Sequence, residues 1–269
     1  MALEGSTFAG FAVLERIAQG GMADIYRVAD ASGHVYVLRM LLPLHKSHWR
    51  ENKRFQTGCE VLRKLDHPNI VRCFGSGDFN GRRYVILEFV NGSNLREKLF
   101  RNDPDLRAHR LKLLVGMAAG LEHVHKSGFL HLDFKPENIL ISRDHISKII
   151  DFDLSIPRPR KPQRISVLSG TPSYLAPEQI AREPVDERAD IFAFGITAYE
   201  MLSGKKPITG NTAKEVLAKY ADFNNHLRPL HTLVTDIPRA IERTVLKCLE
   251  KDVDRRYPSM ALVLRDLQS

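Results

Sequence analysis

Residues 129–140, FLHLDFKPENIL, place His131, Asp133, Lys135 and Asn138 within eight positions of one short segment flanked by apolar residues. A packing element has no use for a carboxylate, an ammonium and an amide so close together. Taken alone, His131 reads as a packed core histidine rather than as an acid or base. The segment does not stand alone, however. It is followed by KIIDFD (148–153), GTPSYLAPE (170–178) and DIFAFG (190–195), and the order and spacing of these stretches carry more than any one of them.

Around this segment the chain changes character. Before about residue 90 it reads mainly as strands. FAVLERIAQGGMADIYRVAD gives two β runs around a Gly-Gly turn, and HVYVLRMLL and RRYVILEFV are further β-rich runs. One helix is predicted among them, over residues 50–65. Beyond residue 90 the periodicity is helical. Leu106, Leu113, Leu114, Met117, Leu121 and Val124 recur on one face, with Gly128 as the expected stop, and DERADIFAFGITAYEMLSG is apolar on nearly every face, as a central buried helix should be. NGSN (91–94) reads as a hinge. The expected fold class is α+β: a small β-rich lobe over 1–90 and a larger helical lobe over 91–269.

Bulk properties narrow the classes of function. The chain has 269 residues, enough for one large domain or two lobes sharing a hinge. No apolar run approaches the roughly 20 residues that span a bilayer, and the first residues lack a basic region followed by an apolar core. A cytoplasmic location without a membrane segment is the expectation. Cys59, Cys73 and Cys248 are few and far apart, which favours buried thiols over a disulfide framework or a metal site. The net charge of +8 is spread along the chain as a solvated surface and does not call for nucleic acid. One basic cluster is real: Arg158, Arg160, Lys161 and Arg164 in PRPRKPQR.

On these motifs the chain resembles the Ser/Thr protein kinases, most closely the bacterial ones, from about Phe8 to Leu267. HLDFKPEN is similar to their catalytic loop, DFD to their metal-binding turn, and APE (176–178) to the end of their activation segment. In CLEKDVDRRY, Arg256 matches the arginine that pairs with the glutamate of that last motif, here Glu178. The resemblance implies a bilobal kinase domain over 8–267, using ATP with Mg²⁺ or Mn²⁺ and acting on a protein Ser or Thr. It casts Asp133 as the residue that orients the incoming hydroxyl, Lys135 as the partner of the γ-phosphate, and Thr171 as their brace. Asn138 and Asp151 would hold the metal, a hard cation suited to oxygen ligands. Adenine would meet the backbone of Glu88 and Val90, with Ile17, Ile25, Val37 and Leu140 at its faces and Leu87 behind. Gly20 and Gly21 would bring backbone N–H groups to phosphate.

Several positions depart from the family pattern. The strand that ordinarily ends in a phosphate-binding Lys reads Tyr36-Val37-Leu38-Arg39, so the cation is a broader, planar guanidinium. The helix glutamate that orients that Lys falls, by the count back from LRKLDHPNI, on Gly58. Glu60 lies about 200° around the helix and faces away. Leu132 replaces the arginine that receives an activation-segment phosphate, although Ser155, Ser166, Ser169 and Thr171 offer phosphosites. Ala18 replaces the first glycine of the phosphate loop. Asp153 replaces the glycine of the metal turn and reads either as a solvated or N-capping residue or as a third metal ligand. Together these changes favour a pseudokinase, a nucleotide-binding or scaffolding module with weak or absent phosphoryl transfer. The alternative is an active, atypical Ser/Thr kinase in which Arg39 replaces the Lys. The basic cluster in the activation segment suits acidic peptides, against the plainer reading of a solvated loop. The chain stops where a kinase domain would, so a tail or anchor beyond it is also an expectation.

Overall fold

The computed structural model describes residues 3–20, 22–42, 49–165, 170–210, 212–221, 223 and 227–269. Six antiparallel strands form the N-terminal sheet: β1 (Thr7–Phe8), β2 (Phe11–Gln19), β3 (Ala23–Ala29), β4 (Val35–Leu41), β5 (Cys73–Phe79) and β6 (Arg82–Glu88), in the order β1-β2-β3-β4-β6-β5. Alternation along β4 divides its side chains between two faces. Leu38 and Met40 join Tyr26, Val28 and Ile86 in a core on one face. Val37, Arg39 and Leu41 therefore take the other, with Arg39 in register between Ile25 and Val85, and Val37 opposite Leu87. Helix α1 (Trp49–Leu62) covers that face through Phe55 and Cys59, which pack with Ala23, Leu41 and Val85. The helix ends at Leu62, short of the expected residue 65, and its predicted first residue falls one position inside the observed start. β5 had no clear signal in the sequence, since CFGSGDF carries two glycines and little alternation.

The C-terminal region is helical: α2 (Leu95–Phe100), α3 (Pro104–Lys126), α4 (Pro177–Ile180), α5 (Arg188–Ser203), α6 (Ala213–Ala221), α7 (Arg239–Cys248) and α8 (Met260–Gln268). The domain is α+β and bilobal. α3 starts where Asp103 accepts from the Asp105 N–H at 2.9 Å and Pro104 occupies the first turn. Gly128, with φ +85°, lies just past its end. α5 is buried from Ala189 to Leu202, and Gly204 closes it in the left-handed conformation, as its all-round apolar pattern required.

Two short sheets complete this lobe. β7 (Gly92–Asn94), β9 (Ile139–Ser142) and β10 (Ser147–Ile149) form one, and β8 (Phe129–Leu130) pairs with β11 (Ile156–Pro157). β7 corrects the reading of NGSN as a hinge. Gly92 lies so close to Ile141 that a Cβ there would sit 1.9 Å from its carbonyl oxygen, and Asn94 caps α2 through the Glu97 N–H. The glycine serves strand contact, not flexibility. The linking segment is the stretch between Glu88 and Gly92. Among the described residues no helix is long and apolar enough to cross a membrane.

Candidate active site

Strand β8 and the start of β9 hold the HLDFKPEN loop between them, and the buried carboxylate of Asp190, on the first turn of α5, fixes its shape. That carboxylate accepts from the backbone N–H groups of His131 and Leu132, both at 2.8 Å, and lies 2.9 Å from His125 Nε2. Burial alone would raise the Asp190 pKa. The His125 and backbone partners outweigh it and hold the carboxyl below its ordinary value. Leu132 takes φ +60° beneath these bonds, a conformation that a non-glycine residue adopts only when its surroundings enforce it. The motif DIFAFG was visible in the sequence, but the anchoring role of its first residue was not.

The loop's polar residues converge on Asp133 and Lys135. Lys135 Nζ donates to both carboxylate oxygens of Asp133, at 2.9 and 2.8 Å, and to Thr171 Oγ1 at 3.2 Å. Asn138 Nδ2 donates to the Asp133 carbonyl and to its Oδ2, each at 2.9 Å. This bond leaves Asn138 Oδ1 as the atom able to meet a cation. Asp151 offers a partly exposed carboxylate and adopts φ +63°. A carboxylate and an amide oxygen form a hard donor set, which fits Mg²⁺ or Mn²⁺ completed by phosphate oxygens.

A second network braces the same loop from behind. Arg96 on α2 donates to Glu137 at 2.9 Å and to Glu200 at 2.7 Å, and it also meets the Tyr174 hydroxyl. Tyr174 in turn donates to Glu200 at 2.5 Å. The network ties the loop to the activation segment and to α5. Nothing in the local sequence pattern marks Arg96, because its partners lie 41, 78 and 104 positions away.

The residues expected to meet a nucleotide lie on strands of the N-terminal sheet, the segment that follows it, and β9. Ile25, Val37, Leu87 and Leu140 are partly buried, whereas Ile17 is half exposed. The Glu88 N–H donates to Arg72 at 2.9 Å, and the Glu88 carboxylate pairs with Lys148 at 2.9 Å. Val90 follows on the connecting segment. Gly20 closes a turn with its N–H on the Ala23 carbonyl at 3.0 Å; Gly21 lies outside the described residues, as do Ser166 and Ser169.

The largest difference from expectation concerns Asp153. It is 7% exposed, so it is not a solvated cap. Both of its carboxylate oxygens accept from Arg39, Nη1 to Oδ1 at 2.8 Å and Nη2 to Oδ2 at 2.6 Å. Instead of a third metal ligand, the structure makes Asp153 the counter-ion of Arg39. Asp151 Oδ1 stands 3.8 Å from the same guanidinium. Burial opposes the charge on Arg39, but the hydrogen bonds and charge of Asp153 push its pKa above the ordinary value. Burial likewise displaces the Asp153 carboxyl upward, against the pull of Arg39 and with the help of Asp151. Glu60 is exposed and accepts from Gln56 at 2.9 Å, on the side of α1 away from Arg39.

The activation segment tempers the other sequence-based expectations. Ser155 is 3% exposed against the His131 carbonyl, so burial corrects its reading as a phosphosite. Arg158 is engaged by Glu187, while Arg160, Lys161 and Arg164 face solvent. At the far end of the segment Arg256 clasps Glu178, Nη1 to Oε1 at 2.7 Å and Nη2 to Oε2 at 2.8 Å.

A bilobal domain with this loop, the DFD turn at 151–153 and this buried Arg–Glu clasp has the architecture of a protein kinase. The chain matches the protein kinase domain over residues 11–266, and it belongs to that family. It is similar to a probable serine/threonine-protein kinase PknB of Lactococcus lactis, 27% identical over 260 residues that make up 96% of this chain and 41% of that protein. The serine/threonine-protein kinase pkn2 of Myxococcus xanthus is 31% identical over 268 residues, 95% of this chain and 32% of that protein. PknB of Mycolicibacterium smegmatis is 29% identical over 259 residues, 92% of this chain and 41% of that protein. The chain thus spans about two-fifths or less of the length of these relatives.

Proposed function

We propose that this domain binds ATP with Mg²⁺ or Mn²⁺ and transfers the γ-phosphate to a Ser or Thr hydroxyl of a protein. The observation that carries this reading is the closed Asp133–Lys135–Thr171–Asn138 network. Phosphoryl transfer asks little covalent chemistry of a protein; it asks for in-line positioning and neutralised charge. Asp133, held by Lys135 and Asn138, orients the incoming hydroxyl and receives its proton. Lys135 is held between that carboxylate and Thr171, and its ammonium would meet the γ-phosphate. Asn138 and Asp151 would hold the metal, which would supply positive charge to the phosphate oxygens. The relatives bear names of Ser/Thr kinases, which supports the substrate class.

A second reading, nucleotide binding without transfer, is favoured by one observation. Both terminal nitrogens of Arg39 are engaged by Asp153, so a phosphate must share the guanidinium rather than claim it. An acidic peptide partner is favoured by the exposed Arg160, Lys161 and Arg164; a location in the cytoplasm accords with this activity.

Intact-mass spectrometry distinguishes the two readings. Phosphatase-treated protein is incubated with ATP and Mg²⁺ or Mn²⁺, beside an Asp133→Asn control and with a mixed Ser/Thr peptide pool. Phosphate on wild-type protein or peptide, and none with the control, is the expected result. Nucleotide binding with no phosphate on either target under any condition would leave the second reading in its place.

A further inference from the structure

Gly58 is where the family pattern places the helix glutamate, and the structure shows what fills the space. A Cβ built on Gly58 would lie 2.4 Å from Asp153 Oδ1, 3.2 Å from the Asp153 nitrogen and 3.4 Å from its Cα. These distances are too short for any side chain at 58 to coexist with Asp153 as it stands. The carboxylate of the metal turn therefore occupies the room that a side chain from α1 would need, and from there it grips Arg39 with two hydrogen bonds. What α1 itself offers Arg39 is the ring of Phe55, whose centroid lies 5.1 Å from the guanidinium carbon.

We propose that Asp153 is the positioning residue for Arg39, replacing a carboxylate on α1 with one on the metal turn, and that Gly58, Asp153 and Arg39 form one interdependent unit. The proposal rests on the reading of Arg39 as a phosphate-facing cation and adds the element that sets it. Three departures that looked like separate losses in the sequence become one rearrangement. Arg is required because its fork matches a carboxylate bidentately while leaving the Nε–H and the remaining Nη–H bonds for another anion. Asp suits the turn because its short side chain reaches Arg39 from position 153. Glycine is required at 58 because the carboxylate lies there.

The rearrangement also changes which motion controls the site. Where the carboxylate is on the helix, displacement of the helix releases the cation. Here the cation is tied to the segment that carries Asp151, two residues away and 3.8 Å from the same guanidinium. Arg39 and Asp151 are therefore set together by residues 151–153, while α1 contributes the Phe55 ring beside Arg39 and, through Arg54, a second positive charge acting on the Asp153 carboxylate.

The test separates the unit from the activity. Binding of Mg-ATP and of adenosine is measured for wild type, Asp153→Asn, Gly58→Glu and the double variant Gly58→Glu/Asp153→Gly. Asp153→Asn is expected to weaken Mg-ATP about 10- to 100-fold, the range of one hydrogen bond to a charged group, and to leave adenosine affinity unchanged. A merely structural Asp153 would weaken both ligands equally, and that result would overturn the positioning role. Gly58→Glu is expected to lose Mg-ATP binding, because two carboxylates compete for one space. Removing the Asp153 side chain in the double variant should return most of it. A double variant no better than Gly58→Glu alone would overturn the shared-space claim.

A thermal-unfolding cycle without nucleotide, using Arg39→Met, Asp153→Asn and both together, reads the pair independently of any activity. Strongly non-additive melting shifts are expected, and additive ones would overturn the unit. A coupled cycle in a protein that binds Mg-ATP but transfers no phosphate would remove the proposed transferase activity and leave this inference intact. Strict additivity in a protein that does transfer would do the reverse.

Discussion

The carboxylate of Asp190 holds the backbone of Leu132 in a left-handed turn, accepting its N–H at 2.8 Å while Leu132 sits at φ +60°. One buried side chain on α5 thus sets the shape of the loop that carries Asp133. A neutral amide of the same size keeps the volume but cannot accept from two N–H groups and His125 with the same strength.

Asp190→Asn should therefore cost about 1–3 kcal/mol at neutral pH, the range for weakening a buried hydrogen-bonded group. The cost should depend on pH in a defined direction. The folded carboxyl lies below its ordinary value of 3.8, so its contribution is complete above that value and fades as pH falls below it. Chemical denaturation of both proteins between pH 7 and pH 3 checks this. The gap in unfolding free energy should be constant down to about pH 4 and narrow below it; a gap that widens in acid would contradict the assignment.

Gly58→Ala offers a sharper sign test. In an exposed helix interior the change stabilises by roughly 1 kcal/mol. In α1 the new methyl would lie 2.4 Å from Asp153 Oδ1, and overpacking of this kind costs about 1–3 kcal/mol. The expected result is a lower melting temperature than wild type. A higher one would mean that Asp153 moves aside at no cost.

The sequence made the fold legible because its strongest signals are local. The alternation in β4, the helical spacing in α3 and the all-apolar α5 each reflect one element meeting one core. The candidate site residues were legible for a different reason, as Asp133, Lys135 and Asn138 fall in one segment with a familiar order. What stayed hidden depends on distance in the chain. Arg39 and Asp153 are 114 positions apart, so Gly58 read as a lost glutamate and Asp153 as a changed metal turn. Their shared meaning appears only when the two occupy one space. NGSN misled for the converse reason: its glycine implied freedom, whereas β7 uses it for close approach to Ile141.

Cysteine chemistry reports on the same packing. Cys59 lies on α1 beside Arg39, yet burial pushes its thiol up to about 12. Cys248 is fully buried, and its thiol is also displaced upward. Since the thiolate is the reactive form, Cys59 and Cys248 should resist a disulfide reagent at pH 8 in the native protein and react readily in denaturant. Rapid native labelling of Cys59, mapped by peptide mass, would mean that α1 opens away from the sheet.

Arg256 and Glu178 make the last case, since both are buried, at 0% and 3% side-chain exposure, and joined by two parallel bonds of 2.7 and 2.8 Å. Arg256 also donates to the carbonyls of Glu250 at 2.7 Å, Arg188 at 3.1 Å and Lys251 at 3.2 Å, and its guanidinium carbon lies 4.7 Å from the centre of the Phe192 ring. Lysine can supply the charge but not the planar fork or the stacking, so Arg256→Lys should be nearly as damaging as Arg256→Ala. Arg256→Ala leaves Glu178 buried without its partner, at a cost of about 3–5 kcal/mol, and Arg256→Lys leaves it a single-point cation in place of the fork. Glu178→Gln/Arg256→Met removes both charges together, so its loss should fall well short of the sum of the single changes. Urea denaturation of wild type, Arg256→Lys, Arg256→Ala, Glu178→Gln, Arg256→Met and the double variant reads this directly. Full recovery by Arg256→Lys would show that charge alone, rather than bidentate geometry, holds the end of the activation segment against α5.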